Sequence, residues 1–293
     1  MTHSHPARLT VGVVGTGRVG SVLGAALARA GHTVVAAYGV SAESKARAER
    51  LLPGVPLRPA DEVVRAAGLV LLATPDDVLT DVVKGLAVAG AFSPGQIVVH
   101  VCGRYGLEVL EPVTRIGAIA LALHPVMTFA GAPEDLQRLS GTSFGVTASE
   151  MLRPIAEALV IDMDGDPVWV PAEAREIYHA AIVFAANNIV TLTTSASDVL
   201  RLAGVENPAR LLGPLLGASL DNALRRGDQA MTGPVSRGDA DTVRVHLDSL
   251  RAQAPDLVSA YIALARLTAE RALQAGLLRA DQAEGLLEVL AAP

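Results

Sequence analysis

The stretch VGVVGTGRVGSVLGAALARAG, Val11 to Gly31, decides how the chain is read. It opens as an apolar run, passes Gly15, Gly17 and Gly20 at G-x-G-x-x-G spacing, and leaves as an amphipathic pattern rich in Ala and Leu. Strand, glycine turn and helix in that order make the start of a dinucleotide-binding βαβ unit. Gly15 suits the tight turn, Gly17 the close approach of backbone to a pyrophosphate, and Gly20 the packing of helix on strand. The helix N-terminus, with its unpaired N–H groups, then faces the phosphates. Gly15, Thr16, Gly17, Arg18, Val19 and Gly20 are therefore the expected phosphate cradle.

Working outward, apolar runs of four to seven residues alternate with helical patterns as far as Val170: LTVGVV, TVVAA, GLVLLA, QIVVHV, AIALAL, SFGV and PVWV. Continuous apolar strands of this kind are buried on both faces, as in a parallel sheet covered by helices. After Pro171 the strand pattern stops. Ala172 to Gly204, Pro208 to Arg226, Asp239 to Ala254 and Asp256 to Leu290 read as helices, separated by turn-forming residues. The expected architecture is α/β, a doubly wound Rossmann-like parallel sheet over residues 1–170, followed by an all-α domain over residues 171–293.

The second strand indicates which dinucleotide. A site for the unphosphorylated cofactor places an acid about 20 residues past the glycines to hold the ribose hydroxyls. The sequence offers Ala36, Ala37, Tyr38, Gly39, Val40 and Ser41 there, with no acid before Glu43. The missing carboxylate, with Ser41, Ser44, Lys45 and Arg18 nearby, points to NADP; the plainer alternative makes Lys45 and Arg47 a solvated helix face. The GLVLLA strand ends in ATPDD, so Ala73, Thr74 and Pro75 should border the nicotinamide ribose, because ligands lie at the carboxyl ends of such strands. Asp76 and Asp77 read as N-cap and first-turn acids of the next helix.

Composition narrows the function class. Hydrophobic residues make up 51% of the 293 and aromatics only 3%, so Ala, Val and Leu supply the packing, which favours close-packed helices. A net charge of −6 without a basic run offers no footprint for nucleic acid or an anionic membrane. MTHSHPARLT has no apolar core and reads as a short frayed tail, not a signal peptide. The longest apolar stretch, Ile116 to Ala132, is interrupted by His124 and Pro125 and is too short for a bilayer. The single Cys102 allows no internal disulfide and reads as a packing residue. A cytoplasmic enzyme is the expected class. The Ala- and Leu-rich helices, such as Leu257 to Ala275, suggest a homodimer through the second domain.

Three segments carry candidate chemistry. In FAANNIVTLTTSASD, Phe184 to Asp198, the side chains of Asn187, Thr191, Thr194, Ser195 and Asp198 fall within about a third of the helix circumference. The preceding turn, with Glu173, Arg175 and Glu176, reads as solvent-facing. A neutral stripe of short polar groups suits a semi-enclosed hydrogen-bonding wall; the alternative is that these groups bond helix carbonyls or a partner subunit. Tyr178 and His179 flank the same opening. In TGPVSRGD, Thr232 to Asp239, Asp239 can cap the following helix, and Arg237 either binds a carboxylate or pairs with Asp239 or Asp241. His124, at the end of AIALAL, is either a proton relay on the crevice side of the sheet or a structural imidazole.

The glycine motif, LLATPDD, HPVMTF and the helical second half resemble the 6-phosphogluconate-dehydrogenase-like superfamily, which includes ketopantoate and pyrroline-5-carboxylate reductases. YHAAIVFAANNIVTL with MTGPVSRGDADTV is more closely similar to a bacterial family of Rossmann-like proteins carrying a C-terminal domain of unknown function. The resemblance covers nearly the whole chain. It implies NADPH-dependent reduction of a C=O or C=N bond in a small carboxylate, with His124, His179, Asn187 and Arg237 as catalytic candidates. Asn187, Thr191, Thr232 and Arg237 are the expected substrate contacts, and no metal is expected. In the related hydroxyacid dehydrogenases a lysine stands one turn before the substrate-positioning asparagine. Here Val183 and Phe184 occupy those positions, so the proton comes from His124, from His179 or from a water on Asn187, or the substrate arrives as a protonated imine. The alternative function is an NADP-binding sensor without turnover.

Overall fold

The computed structural model describes residues 8–291. The expected N-terminal tail falls largely on residues 1–7, outside the described residues. The chain divides into two compact units, one ending at Phe184 and the other beginning at Ala185.

The first unit opens with β1 (Thr10–Val14), α1 (Arg18–Arg29), β2 (Thr33–Tyr38), α2 (Ala42–Leu51) and α3 (Ala60–Ala66). It continues with β3 (Leu69–Leu72), α4 (Asp76–Val88), β4 (Ile97–His100), α5 (Glu111–Thr114) and β5 (Ile119–Pro125). Then follow α6 (Asp135–Arg138), β6 (Ser143–Thr147), α7 (Arg153–Asp162) and β7 (Asp166–Trp169). The seven strands form one sheet in the order β2-β1-β3-β4-β5-β6-β7. β2, β1, β3, β4 and β5 run parallel, with Val11 opposite Leu69 and Leu69 opposite Ile97. β6 runs antiparallel to β5, and β7 is parallel to β6. A parallel return needs a crossover, usually a full helix; the β5–β6 connection carries only the four-residue α6. The doubly wound parallel sheet expected from the sequence is thus present, with β5–β6 as its one antiparallel pair among the described residues.

Two apolar layers cover the sheet. Leu23 and Leu27 of α1 and Leu159 and Val160 of α7 pack on one face with Leu121 and Phe144. Val63 and Val64 of α3, Val83 of α4 and Val113 of α5 pack in the other layer with Val70 and Val98. Strand residues are buried on both sides because each side carries helices, which is why they read as unbroken Val/Leu runs.

The helix α8 (Arg175–Leu202) begins in the first unit and continues in the second, followed by α9 (Pro208–Arg226), α10 (Ala240–Gln253), α11 (Val258–Gln274) and α12 (Ala280–Ala291). Val243, Leu247, Ala269, Ala272 and Leu286 form the second unit's core. The reading of Asp256 to Leu290 as one helix is corrected. Pro255–Leu257 is a 3₁₀ turn, and the chain breaks after Gln274, where Gly276 takes φ +71°. Glycine carries this left-handed stop without a Cβ penalty. The longest apolar helical stretch is also not where it was expected. Ala172–Leu202 is long and apolar enough to cross a membrane by length and composition. Its first turns pack with the sheet instead, through residues described below.

Phe144 is fully buried in β6, and a Cβ on Gly165 would come within 2.5 Å of its ring. Phe144→Ala is expected to lower the unfolding free energy by ~3–5 kcal/mol. Urea unfolding followed by circular dichroism measures it; a loss under about 1 kcal/mol contradicts this packing.

Candidate active site in the first unit

The carboxyl ends of β1, β3, β4 and β5 open on a crevice of about 800 Å³. Gly15 to Val19, Ser41, Ser44 and Ala73 to Asp76 line one end, and Gly103, His124 and His179 the other. Each glycine of the motif does what the spacing implies. Gly15 has φ +105°, and a Cβ there would lie 2.5 Å from the Ala73 carbonyl oxygen. A Cβ on Gly20 would overlap the Gly15 oxygen, whereas one on Gly17 would meet nothing within 4 Å. The open space sits over the start of α1, whose N-cap Gly17 provides no side-chain cap. Thr16 Oγ1 and Thr74 Oγ1 are buried without a hydrogen-bond partner at this lining. Unpaired donors around a helix N-terminus fit a pyrophosphate.

Beyond β2, Ser41 caps α2 by accepting from the Ser44 N–H at 3.1 Å, and Ser44 Oγ donates to the Ser41 carbonyl. Arg18 lines the crevice; Lys45 is exposed and does not. Arg47, read as part of a solvated face, is half-buried, donates to the Thr16 carbonyl at 3.3 Å and leaves its Nε buried and unpaired. Arg50 donates to the Gly131 carbonyl at 2.8 Å, tying α2 to the loop after β5. Asp76 and Asp77 form the first turn of α4, but the N-cap is Pro75, which corrects the capping role given to Asp76.

At the other end, His124 Nδ1 lies 2.8 Å from the Tyr178 hydroxyl. The His124 ring also meets His179 edge-on, with centroids 5.9 Å apart. Two glycines make this possible. A Cβ on Gly103 would come 2.5 Å from His179 Cδ2 and 3.0 Å from His124 Nε2, and one on Gly145 would overlap the Tyr178 hydroxyl. Burial, then the charge of Arg175, then His179 push the His124 imidazole down to about 4, so it is neutral at pH 7. Burial raises the Tyr178 phenol, and Arg175 works against that rise. Behind them His100, fully buried, has Nε2 at 2.7 Å from the Gly106 carbonyl; the carbonyl only accepts, so Nε2 carries the proton. Desolvation holds His100 down at about 4 as well. Burial and Asp76 push the Cys102 thiol up to about 12, which fits an inert packing residue.

Asn187, Thr191, Thr232 and Arg237 belong to the second unit, and all four are exposed. The hydrogen-bonding wall is corrected to its plainer alternative. Thr191 donates to the Asn187 carbonyl at 3.3 Å and Thr194 to the Val190 carbonyl at 2.7 Å, while Asp198 pairs with Arg201. Small hydroxyls inside a helix are satisfied by the preceding turn. Thr191 and Ser195 do line a groove of about 380 Å³, but Leu250, Tyr261 and Leu264 make it apolar. Asp239 caps α10 through the Thr242 N–H, and Asp241 pairs with Arg244. Thr232 lines a separate hollow of that unit with Asp228 and Arg271.

Residues 2–125 match the Rossmann-like domain, and residues 142–268 match the domain of unknown function DUF2520. The chain joins a Rossmann-like domain to a DUF2520 domain. Comparison with curated proteins gives no match. Among solved structures it is similar to a protein described as an NADP oxidoreductase from Bacteroides fragilis. That likeness has 22% identity and a TM-score of 0.76, over 90% of this chain and 98% of the other. An imine reductase from Pseudomonas sp. is 22% identical with a TM-score of 0.67, over 97% and 100% of the two chains. A pyrroline carboxylate reductase from Plasmodium falciparum with NADP bound is 13% identical with a TM-score of 0.57, over 95% and 98%. At these identities the likeness is one of fold.

The two depressed imidazoles set an acid limit. Unfolded, each binds a proton below pH 6.5; folded, neither does until about pH 4. The unfolded state therefore binds more protons between those values, and stability falls as pH falls, by up to ~1.4 kcal/mol per pH unit for each histidine. Urea midpoints at pH 7 and pH 5 measure this, and His124→Gln is expected to remove part of the slope. Equal midpoints contradict the assignment.

Proposed function

We propose that this chain is an NADPH-dependent oxidoreductase that reduces a C=O or C=N bond in a small substrate. The observation that carries the reading is the joining, in one crevice, of open space over Gly17 at the start of α1 with a hydrogen-bonded His124–Tyr178 pair. The similar NADP-binding structures support it. Thr16, Gly17, Arg18 and Thr74 would hold the pyrophosphate and ribose, and Ser41 and Ser44 the 2′-phosphate, the described lining after β2 carrying no acid there. NADPH supplies the hydride when bound.

The protein's own part is the proton. At pH 7 His124 is neutral, so an imidazolium is not the donor, and Tyr178 is the acid closest to hand. A carbonyl that accepts hydride at carbon leaves an alkoxide, which takes the Tyr178 hydroxyl proton. His124 passes its Nδ1 proton to the phenolate as it takes one from solvent at Nε2, so it stays neutral and changes tautomer. A protonated imine needs no such donor, and for it the pair only orients the substrate. A small carboxylate of the ketopantoate or pyrroline-carboxylate type remains the proposed substrate class. His179 borders the same crevice end.

A homodimer is the proposed assembly. Ile189, Val190 and Leu192 of α8 and Leu211, Leu215, Leu220 and Leu224 of α9 are large apolar side chains left exposed in one unit. A second copy packed on these side chains would take them out of water.

Oxidation of NADPH, with NADH for comparison, against a panel of 2-keto acids and cyclic imines tests the reading. Turnover is expected with NADPH, and Tyr178→Phe should lower kcat by ~10²-fold or more on carbonyl substrates while sparing protonated imines. Tight NADPH binding without turnover on any substrate favours the sensor. Light scattering should give twice the 30.2 kDa chain mass; a monomer contradicts the assembly.

A further inference from the structure

Arg175, which the sequence places on a solvated turn, is only 1% exposed and is among the largest fully buried side chains. All of its donor nitrogens are engaged, and every acceptor is neutral. Nε donates to Thr147 Oγ1 at 2.8 Å. Nη1 donates to the carbonyls of Cys102 and Gly103 at 3.4 and 3.3 Å. Nη2 donates to those of Ala122 and Gly145 at 3.0 Å each. Thr147 in turn donates to the Val170 carbonyl at 2.6 Å, so its own oxygen is oriented to accept. Among the described residues no carboxylate lies within ion-pair distance of this guanidinium.

A buried cation without a counter-ion is costly, and an apolar side chain of similar volume fills a structural position at lower cost. What the cation does here follows from its acceptors. They come from the end of β4, from β5 and from β6, and two of them, Gly103 and Gly145, are the glycines that seat His124, His179 and Tyr178. Its Cζ lies 5.7 Å from the Tyr178 ring centroid, one helical turn along α8.

We propose that Arg175 is a positioning residue for the proton step: its fork fixes the strand ends on which His124 and Tyr178 meet and sets its unneutralised charge beneath them. What the pair does for a substrate rests on the reductase reading; how the pair is held does not. The groups facing His124 are Tyr178 and His179 on α8, Arg175 below, His100 on β4, and Asp76 at the start of α4. Asp76 favours the protonated imidazole, and Arg175 and His179 oppose it more strongly. Cys102 and Glu108 are the other titratable groups felt by Arg175, and neither forms an ion pair with it.

The test compares Arg175→Gln and Arg175→Lys in the full chain, with histidine-selective NMR titration and kinetics side by side. Arg175→Gln removes the charge, and the His124 titration midpoint is expected to rise by ~1 pH unit, with the NADPH Kd within about twofold of the parent, because Arg175 does not line the crevice. A folded Arg175→Gln protein with an unchanged midpoint overturns the proposal. Arg175→Lys keeps the charge and loses the planar fork. The midpoint should stay near that of the parent, the His124 Nδ1 resonance should move as its bond to Tyr178 loosens, and kcat should fall by ~10- to 100-fold with KM little changed. An unmoved Nδ1 resonance in Arg175→Lys overturns the proposal even if Arg175→Gln does not fold. Neither titration readout needs a substrate, so failure of the reductase reading, seen as no NADPH consumption, is a separate result.

Discussion

The close approach of α1 to the sheet at Gly20 is the contact on which the rest depends. A methyl group there would strike the Gly15 carbonyl and come within 2.8 Å of the Ala73 Cβ. Without a side chain the helix N-terminus comes down beside the ends of β1 and β3, leaving open space only over Gly17. Gly24 repeats the device one turn later against Val13. The open space at this end of the crevice is therefore a consequence of packing: helix and strands meet closely because Gly15 and Gly20 leave no side chain between them.

The opposite end is built by the same means from different elements. Gly103 and Gly145 yield their side-chain volume to the rings of α8, and the guanidinium of Arg175 collects the carbonyls those strands leave unpaired. Buried carbonyls at sheet ends need donors. One arginine supplies them to three segments at once, and in doing so fixes where the first turn of α8 stands.

The phosphate end was legible in the sequence because each of its requirements is local. Gly15, Gly17 and Gly20 announce their roles by spacing within six residues, and β1 through β5 by runs of Val and Leu. The chemical end was not, because its requirements are long-range. Nothing in AEARE distinguishes an arginine that turns inward from one that faces water; its acceptors lie 28 to 73 residues away in sequence. Gly103 and Gly145 carry no turn signal, and their function appears only when α8 is laid across them. A helical polar stripe such as Thr191, Thr194 and Ser195 has the opposite fault. It looks purposeful in sequence, yet the preceding helical turn satisfies its threonines. Hydroxyls that bond their own helix carry little information about what lies outside it. His124 was legible from its place at a strand end, but its partner had to come from a segment 54 residues away.

The charges of the crevice bear on which bond the site suits. A phenol that burial has made less acidic is a poor acid toward an amine but a sufficient one toward an alkoxide, which is far more basic. Tyr178, backed by a neutral imidazole and a buried cation, is thus most valuable where negative charge develops on oxygen. An iminium brings positive charge of its own, and Asp76 at the start of α4 is a crevice group that favours it. On the reductase reading, Arg175 beneath Tyr178 and Asp76 in the crevice lining would favour a polar double bond with its oxygen toward the phenol and any positive charge toward the carboxylate.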